Sequence, residues 1–187
     1  MASLNLDQKQ KKTLLEIARK TIEHTVLGKK LPEFKIEDKT LNEACGAFVT
    51  IHKNKNLRGC IGNVVGRGPL YKTVMQMAIE ACVHDPRFNP VQPSELGEID
   101  IEVSVLSPFE KTESIEDIHV GVHGLFIKQG FCQGLLLPQV ATEYGWTKEE
   151  FLEHTCLKAG LGRSCYKDSK CEIFIFSATV FGEKDII

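Results

Sequence analysis

The sequence predicts an α+β fold, in which helices flank a largely antiparallel sheet. Two patterns predict this class: segments rich in strand formers occur as hairpin pairs, and three helical segments are interleaved with them at irregular spacing. A doubly wound parallel fold would need regular alternation of strands and helices, which this chain lacks. Of its 187 residues, 42% are hydrophobic and 26% are charged, which are ordinary values for a globular chain with a sizeable core.

The first predicted helix runs from Leu6 to Leu27. Its apolar residues recur at intervals of three and four, as in an amphipathic helix; they are Leu14, Ile17, Ala18, Ile22 and Val26. Asp7 is the expected N-cap of this helix, and Gly28 is the expected stop. We interpret this helix as part of the scaffold.

A hairpin is predicted after the first helix. Strand formers occupy Cys45 to His52, a turn is expected at Lys53 to Asn56, and a second strand returns from Leu57 to Gly62. The net charge of the chain is -2, but no Asp or Glu lies between Ala44 and Ile79. The cations in that window are Lys53, Lys55, Arg58, Arg67 and Lys72. We therefore expect this segment to be electropositive.

The second predicted helix begins at Pro69, a residue that suits the first helical position. Its buried stripe consists of Leu70, Val74, Met77, Ala78, Ala81 and Cys82. The helix is expected to end near His84, because Asp85 precedes a proline and is disfavoured in the helical conformation. From Glu98 to Val105, polar and branched apolar residues alternate, which predicts a half-buried strand.

Shorter elements follow in the second half of the chain. A turn of helix is expected at Ile115 to Ile118. The apolar runs Leu125 to Ile127 and Leu135 to Leu137, which glycines punctuate, predict a second hairpin.

Two further elements are predicted near the end. Thr147 and Glu150 form a capping box, which predicts a third helix that ends at Lys158 or Ala159. The run from Glu172 to Gly182 is apolar on both faces at its start, which is typical of a central strand covered on both sides.

Seven cysteines occur, an odd number, and none of them forms a C-x-x-C pair. We therefore expect no disulfide framework, and we expect most of the thiols to be small buried hydrophobic groups. His119 and His123 have the four-residue spacing of helical zinc ligands, but Gly121 and Gly124 argue against a helix there. No cysteine spacing matches a zinc site and no nucleotide-binding motif occurs, so we expect no metal and no cofactor. No apolar run is long enough for a membrane helix, and Met1 to Asp7 lacks the layout of a secretory signal. A cytoplasmic location is therefore expected.

The first candidate site is Leu57 to Gly62, with the sequence LRGCIG. Arg58 lies two residues from Cys60, so on a regular strand both point to the same face and the guanidinium would stabilise a thiolate. Gly59 and Gly62 predict a close backbone approach, either to a ligand or to another strand. A buried core cysteine would look similar, and both interpretations stay open.

The second candidate site is His84 to Phe88. The helix dipole favours a charged His84 at the end of its helix, and the forced exit at Pro86 would project Asp85 and Arg87 into a loop. The alternative is an ion pair between Asp85 and Arg87 that only holds the loop. Gln139 follows Pro138 and could lie on a helix; a structural role is favoured there.

Several motifs, in order, resemble the AMMECR domain family. They are Gly46 to Val49 (GAFV), Leu57 to Gly62 (LRGCIG), Asp85 to Phe88 (DPRF), Gly134 to Gln139 (GLLLPQ) and Lys158 to Leu161 (KAGL). The chain is most similar to the compact archaeal or bacterial members, the AmmeMemoRadiSam system protein A group. The resemblance implies one α+β domain over 1–187, whose larger subdomain comes from both chain ends and whose smaller subdomain comes from the middle.

The resemblance also implies a site and partners. In this family, Leu57 to Gly62 corresponds to the signature motif. The resemblance implies that this signature lies at a cleft. The residues expected there are Arg58, Gly59, Cys60 and Gly62, with Asp85, Arg87 and Gln139 as companions. Genomic association in the family implies a Memo-type protein and a radical SAM protein as partners. It names no reaction.

Two functions remain open from the sequence. In the leading hypothesis, a thiol-dependent enzyme or catalytic component of a modification pathway acts on an anionic small molecule or protein group. Its residues would be Cys60 as nucleophile or covalent anchor, Arg58 and Arg87 as anion-binding cations, and Asp85 or His84 as proton carriers. The alternative is a non-enzymatic module that docks nucleic acid or an acidic protein partner through Lys53, Lys55, Arg58 and Arg67. Nucleic acid is the less expected partner, because the hairpin turn has no aromatic residue to stack a base.

Overall fold

The computed structural model describes residues 5–185 and confirms the α+β class, with helices and two four-stranded sheets. The chain divides into two compact units. The first unit contains residues 5–106 and 179–185, and the second unit contains residues 107–178. Residues 1–4, on which the expected absence of a secretory signal partly depends, lie outside the described residues.

The first unit holds two helices and one sheet. Its elements are α1 (Gln8–Val26), β1 (Ala47–Lys53), β2 (Asn56–Asn63), α2 (Leu70–Ile79), β3 (Ile99–Leu106) and β8 (Ala178–Gly182). The strand order is β2-β1-β3-β8, and β1 is antiparallel to both of its neighbours. Helices α1 and α2 pack against each other and against the sheet. The core between them includes Leu14, Ile17, Ile22, Val49, Ile51, Leu70, Val74, Ile101 and Val103.

The predicted helices of this unit are confirmed. Asp7 caps α1 through a capping box with Gln10, and Gly28 follows the helix with a φ of 63°. The predicted buried stripe of the second helix is also confirmed. Pro69 is the N-cap of α2 rather than its first helical residue, and the last turn, Glu80–His84, is a π-helix.

The predicted hairpin is confirmed with a tighter turn than expected. Only Asn54 and Lys55 connect β1 to β2, and both have positive φ, as a type I′ turn requires. The register then shifts by one residue between Ile51 and His52, so that Arg58 is the extra residue of a β-bulge. This bulge determines which side chains face Cys60.

The second unit holds the other sheet and two helices. Its elements are β4 (Glu110–Thr112), β5 (Gly124–Gln129), β6 (Cys132–Leu136), α3 (Pro138–Glu143), α4 (Lys148–Lys158) and β7 (Glu172–Phe176). The strand order is β4-β7-β5-β6. The second predicted hairpin, the short helical turn at Ile115–Asp117 and the capping box at Thr147 and Glu150 are confirmed. Buried residues in this core include Ile118, Leu125, Ile127, Phe151, Leu152 and Ile173.

The prediction of one strand from Glu172 to Gly182 is wrong. The run forms β7, in the middle of one sheet, and β8, at the edge of the other. The break falls at Ser177, whose backbone N–H donates to Ser107 Oγ and whose carbonyl accepts from the Ser107 N–H, both at 2.9 Å. These bonds replace the hydrogen bonds that Ser177 would make to a neighbouring strand. The sequence does not mark the break, because the residue at this position is neither glycine nor proline.

The sequence predicts no disulfide framework, but one disulfide joins Cys156 to Cys165 in the second unit. The two residues are nine positions apart, and the turn after α4 brings them together, so no short spacing motif identifies them. No helix within residues 5–185 is long and apolar enough to cross a membrane.

Candidate functional site

Cys60 lies on β2, the edge strand of its sheet, and two side chains bond to its outer backbone. Asp85 Oδ2 accepts from the Cys60 N–H at 2.8 Å, and Arg87 Nη2 donates to the Cys60 carbonyl at 3.0 Å. These two bonds take the place of a further strand at this point of the sheet edge. The loop that follows the π-helical turn is thereby attached to the signature strand.

Asp85 is almost completely buried, with 4% of its surface exposed. Its carboxylate accepts four hydrogen bonds: from Arg87 Nε, Nη2 and backbone N–H, and from the Cys60 N–H. The hydrogen bonds from the Arg87 side chain, followed by those from the two backbone N–H groups, hold the pKa of Asp85 well below its usual range. Asp85 is therefore a fixed, ionised acceptor at neutral pH, and such a carboxylate is a weak base.

Arg87 is partly open to solvent, with 53% of its side chain exposed. The hydrogen bond to Asp85 raises the pKa of Arg87. Its guanidinium also lies over the ring of Phe88, 5.5 Å from the ring centroid. Nε and Nη2 are occupied, whereas Nη1 has no hydrogen-bond partner in the described part of the chain. The N–H groups of Nη1 are therefore available to an anionic group.

The Cys60 thiol has a hydrogen-bond donor of its own. Thr50 Oγ1 lies 3.2 Å from Cys60 Sγ and donates to it from the paired position on β1. Cys60 is partly exposed, in contrast to Cys45 and Cys82, which are buried. Burial raises the pKa of both of these thiols, that of Cys82 to about 11.

Thr50 was not among the predicted site residues. A regular hairpin with a turn at Asn54 and Lys55 would pair Cys60 with Val49. The bulge at Arg58 shifts the register by one residue and brings Thr50 opposite Cys60 instead. No sequence pattern marks this bulge.

Arg58 is held by partners other than the thiol. Its Nε and Nη2 bond both oxygens of Glu95, at 3.1 and 2.9 Å, and its Nη1 donates to the carbonyl of Asn89 at 2.9 Å. Both side chains are largely buried, and the bonds from Arg58 are the main reason that the pKa of Glu95 falls to about 2. Because the bulge interrupts the alternation of side chains, the expected shared face of Arg58 and Cys60 does not follow from their spacing. Arg58 therefore holds the segment that contains Asn89 and Glu95 against β2.

The two signature glycines lie against protein atoms. A Cβ at Gly59 would collide with the carbonyl oxygen of Ala81, and a Cβ at Gly62 would collide with the Phe48 ring. The close approach at Gly59 is thus to a helix backbone, which the sequence did not predict. A substrate-binding role for these glycines stays a prediction.

The other predicted site residues have separate surroundings. His84 ends the π-helical turn with 60% of its side chain exposed, and its Nδ1 lies 2.9 Å from Glu80 Oε2. Gln139 belongs to the second unit, in the first turn of α3. The roles predicted for His84 and Gln139 stay predictions. Among residues 5–185, no three side chains of His, Cys, Asp or Glu are grouped so as to hold a metal ion.

Comparison with known families identifies the chain. The AMMECR1 family model matches residues 15–181. The chain belongs to the AMMECR1 family. This confirms the resemblance that the LRGCIG and DPRF motifs indicate.

Relatives of this AMMECR1 protein occur in archaea and bacteria. A protein of Methanothermobacter thermautotrophicus is 46% identical over 187 residues, covering 95% of this chain and 96% of the relative. A protein of Aquifex aeolicus is 40% identical over 181 residues, covering 92% of each chain. The crystal structure of an uncharacterized protein from Pyrococcus horikoshii is similar, with a TM-score of 0.86, 38% identity and coverage of 96% of this chain and 94% of that one.

Proposed function

We propose that this AMMECR1 protein carries out thiol-dependent chemistry at Cys60 on an anionic small molecule or protein group. One observation carries the proposal: the Thr50 hydroxyl donates to Cys60 Sγ at 3.2 Å, on a strand whose outer backbone is held by Asp85 and Arg87. A hydrogen bond donated to sulfur stabilises the negative charge of a nucleophilic thiolate. The partial exposure of Cys60 leaves it open to reagents.

Each neighbouring residue has a part in this proposal. Nη1 of Arg87 would bind the anionic group of the substrate. Asp85 is a positioning residue, because its carboxylate is fully occupied in holding Cys60 and Arg87. Arg58 acts at a distance by holding the loop, and His84, with one ring nitrogen on Glu80, is the proposed proton carrier.

The proposal is tested by the rate of alkylation at each free cysteine, read by peptide mass spectrometry. Cys60 is expected to react with iodoacetamide faster than the exposed Cys132 at about pH 7. Thr50→Val keeps the shape of the side chain and removes the donor, so it should slow alkylation of Cys60 on the order of tenfold, equivalent to about 1.4 kcal/mol. The rates for Cys132 should not change.

A second reagent tests the preference for anions. Iodoacetate carries the negative charge that iodoacetamide lacks, and Arg87→Gln should lower the ratio of the two rates at Cys60. Buried Cys45 and Cys82 report on folding, since fast alkylation there would reveal a disrupted core. A Cys60 that reacts no faster than Cys132, and does not respond to Thr50→Val, would remove the basis of the proposal.

The alternative of a binding module is supported by a different set of cations. Lys53 and Arg58 are ion-paired with Glu95, and Lys53 also with Glu98, so acids from outside residues 44–79 compensate these two cations of the hairpin. Arg67 and Lys72 line a groove of about 340 Å³ and have no acidic partner in the described part of the chain. Binding of an acidic partner or nucleic acid there should weaken steeply with salt and with Arg67→Gln.

Two further parts of the proposal, the division into subdomains and the partners, come from the family resemblance. We propose that residues 5–106 with 179–185 are the larger subdomain and residues 107–178 the smaller one. Partnership with a Memo-type protein and a radical SAM protein belongs to the same proposal. A cytoplasmic location is proposed separately, from the layout of the first residues of the sequence. Copurification from a native host, followed by mass spectrometry, tests the partnership.

A further inference from the structure

The disulfide of the second unit is shielded from solvent. Cys156 lies in α4 and has no exposed surface. Cys165 begins the 3-10 turn Cys165–Lys167, and 9% of its surface is exposed. Direct attack on a disulfide by an external thiol requires an open path to one of the sulfurs. Neither sulfur of this pair offers a wide path in the folded protein.

A third cysteine lies beside the buried pair. Cys171 Sγ is 4.0 Å from Cys165 Sγ, and Cys171 is an unpaired thiol of intermediate exposure. It directly precedes β7, and its backbone N–H donates to the Asp168 carbonyl at 2.9 Å. Cys165 therefore contacts two possible partners, one fully buried and one closer to the surface.

Cys171 also lines a groove. The groove has a volume of about 400 Å³, enough for a small molecule. Its wall is mostly polar and includes Lys111, Thr112, Ser114, Lys167 and Ser169. A peptide-like thiol could bind there with its sulfur near Cys171.

We propose that Cys156, Cys165 and Cys171 form a thiol–disulfide exchange site, in which Cys171 connects the buried disulfide to low-molecular-weight thiols in the groove. This site is independent of the chemistry proposed for Cys60. Its components all lie in residues 107–178.

The exchange balances in three steps. The Cys171 thiolate attacks Cys165 Sγ, so that the Cys165–Cys171 bond forms, the Cys156–Cys165 bond breaks and Cys156 leaves as a thiolate. An external thiolate in the groove then attacks Cys171 Sγ, which forms a mixed disulfide and releases Cys165. A second external thiolate attacks the external sulfur and releases Cys171. Two external thiols are oxidised to their disulfide while the Cys156–Cys165 pair is reduced, and the reverse sequence oxidises the pair.

The surroundings of Cys171 restrain this exchange at neutral pH. Burial, with the nearby charges of Asp168 and Glu172, raises the pKa of the Cys171 thiol. The attacking thiolate is therefore scarce at neutral pH, and the exchange should speed up as the pH rises.

The experiment follows the loss of the Cys156–Cys165 disulfide during incubation with reduced glutathione, using acid quench, alkylation and peptide mass spectrometry. Cys171→Ser is expected to slow the reduction on the order of tenfold, because the external thiol then has to reach the buried pair directly. Cys132→Ser removes an exposed thiol of the same unit and should leave the rate unchanged. In denaturant, where all sulfurs are exposed, both variants should react at the wild-type rate.

A trapping experiment tests the intermediate. Cys156→Ser, treated with oxidised glutathione, is expected to form a Cys165–Cys171 disulfide, whereas Cys165→Ser should form no bond between Cys156 and Cys171. Circular dichroism checks that each variant is folded. Reduction of folded Cys171→Ser at the wild-type rate would overturn the proposal, and this outcome can be read even where Cys156→Ser fails to fold.

Discussion

The Asp85 carboxylate accepts a hydrogen bond from the backbone N–H of Cys60, with 2.8 Å between Oδ2 and the nitrogen. This bond connects the two motifs, LRGCIG and DPRF, that are separated by more than 20 residues in the chain. It shows that Asp85 is part of the support of the signature strand.

Asp85→Asn is expected to lower the free energy of unfolding by about 2 kcal/mol at neutral pH. The amide cannot replace the charged bonds to Arg87 and leaves a buried polar group poorly paired. Denaturant titration measures the change. Glu37→Gln, which makes the same carboxylate-to-amide change on an exposed side chain, should have little effect. Equal stability of the two variants would contradict the proposed support.

Stability should fall in acid, in part through Glu95. Folding lowers the pKa of Glu95 to about 2, mainly through its bonds to Arg58, so the folded state binds this proton less readily than the unfolded state. The stabilisation is therefore fully present above the unfolded pKa of about 4.3 and is lost as the pH falls toward the folded value.

Glu95→Gln should remove that part of the pH dependence, on the order of 1 kcal/mol between about pH 5 and pH 2. Denaturant titrations at a series of pH values measure it. Glu98→Gln is the matched control, since the Glu98 side chain is more than half exposed and, among residues 5–185, is ion-paired with Lys53 alone. The prediction fails if the two variants have parallel stability profiles in acid.

Gly59→Ala is expected to destabilise the protein by about 1–3 kcal/mol, because the added methyl group collides with the Ala81 carbonyl oxygen. Gly68→Ala is the control: apart from Gly68 and its two chain neighbours, no atom of residues 5–185 lies within 4 Å of the new Cβ, so the change should be neutral or slightly stabilising. Thermal unfolding compares the two. A neutral Gly59→Ala variant would show that β2 and the π-helical turn can separate at little cost.

Lys55→Gly is expected to stabilise the protein by about 0.5–1 kcal/mol. Lys55 has a φ of 66°, a conformation that costs an ordinary residue about 1–2 kcal/mol, while glycine adopts it freely. The same change at Lys35, which has no positive φ, should be destabilising because of the greater entropy of the unfolded chain. Opposite signs of the two effects in denaturant titrations are therefore expected.

Much of the fold could be predicted because local signals agree with the final structure. Each helix is marked by residues that are near one another in the sequence: Asp7 caps α1, Thr147 caps α4, and the apolar stripe of α2 recurs at helical spacing. The site could be predicted only in part. Residue types indicate Cys60, Asp85 and Arg87 as candidates, and the structure joins them by hydrogen bonds. The register that places Thr50 against Cys60 depends on a bulge that has no sequence signal.

Two other features depend on distant contacts. Arg58 pairs with Glu95, which is 37 residues away in the chain. The absence of Asp and Glu between Ala44 and Ile79 therefore does not determine the charge around the hairpin. The strand break at Ser177 depends on Ser107, 70 residues away. Composition and local spacing carry no information about such pairs.

The division of strands between the two sheets has a consequence for synthesis of the chain. Residues 107–178 are contiguous, so that unit can begin to fold as soon as it has left the ribosome. The first unit, in contrast, recruits β8 as the edge strand beside β3, long after β3 itself has been made. Until then the outer edge of β3 is open to pairing with other chains, and nascent protein stalled before Thr179 should be the form most prone to aggregate.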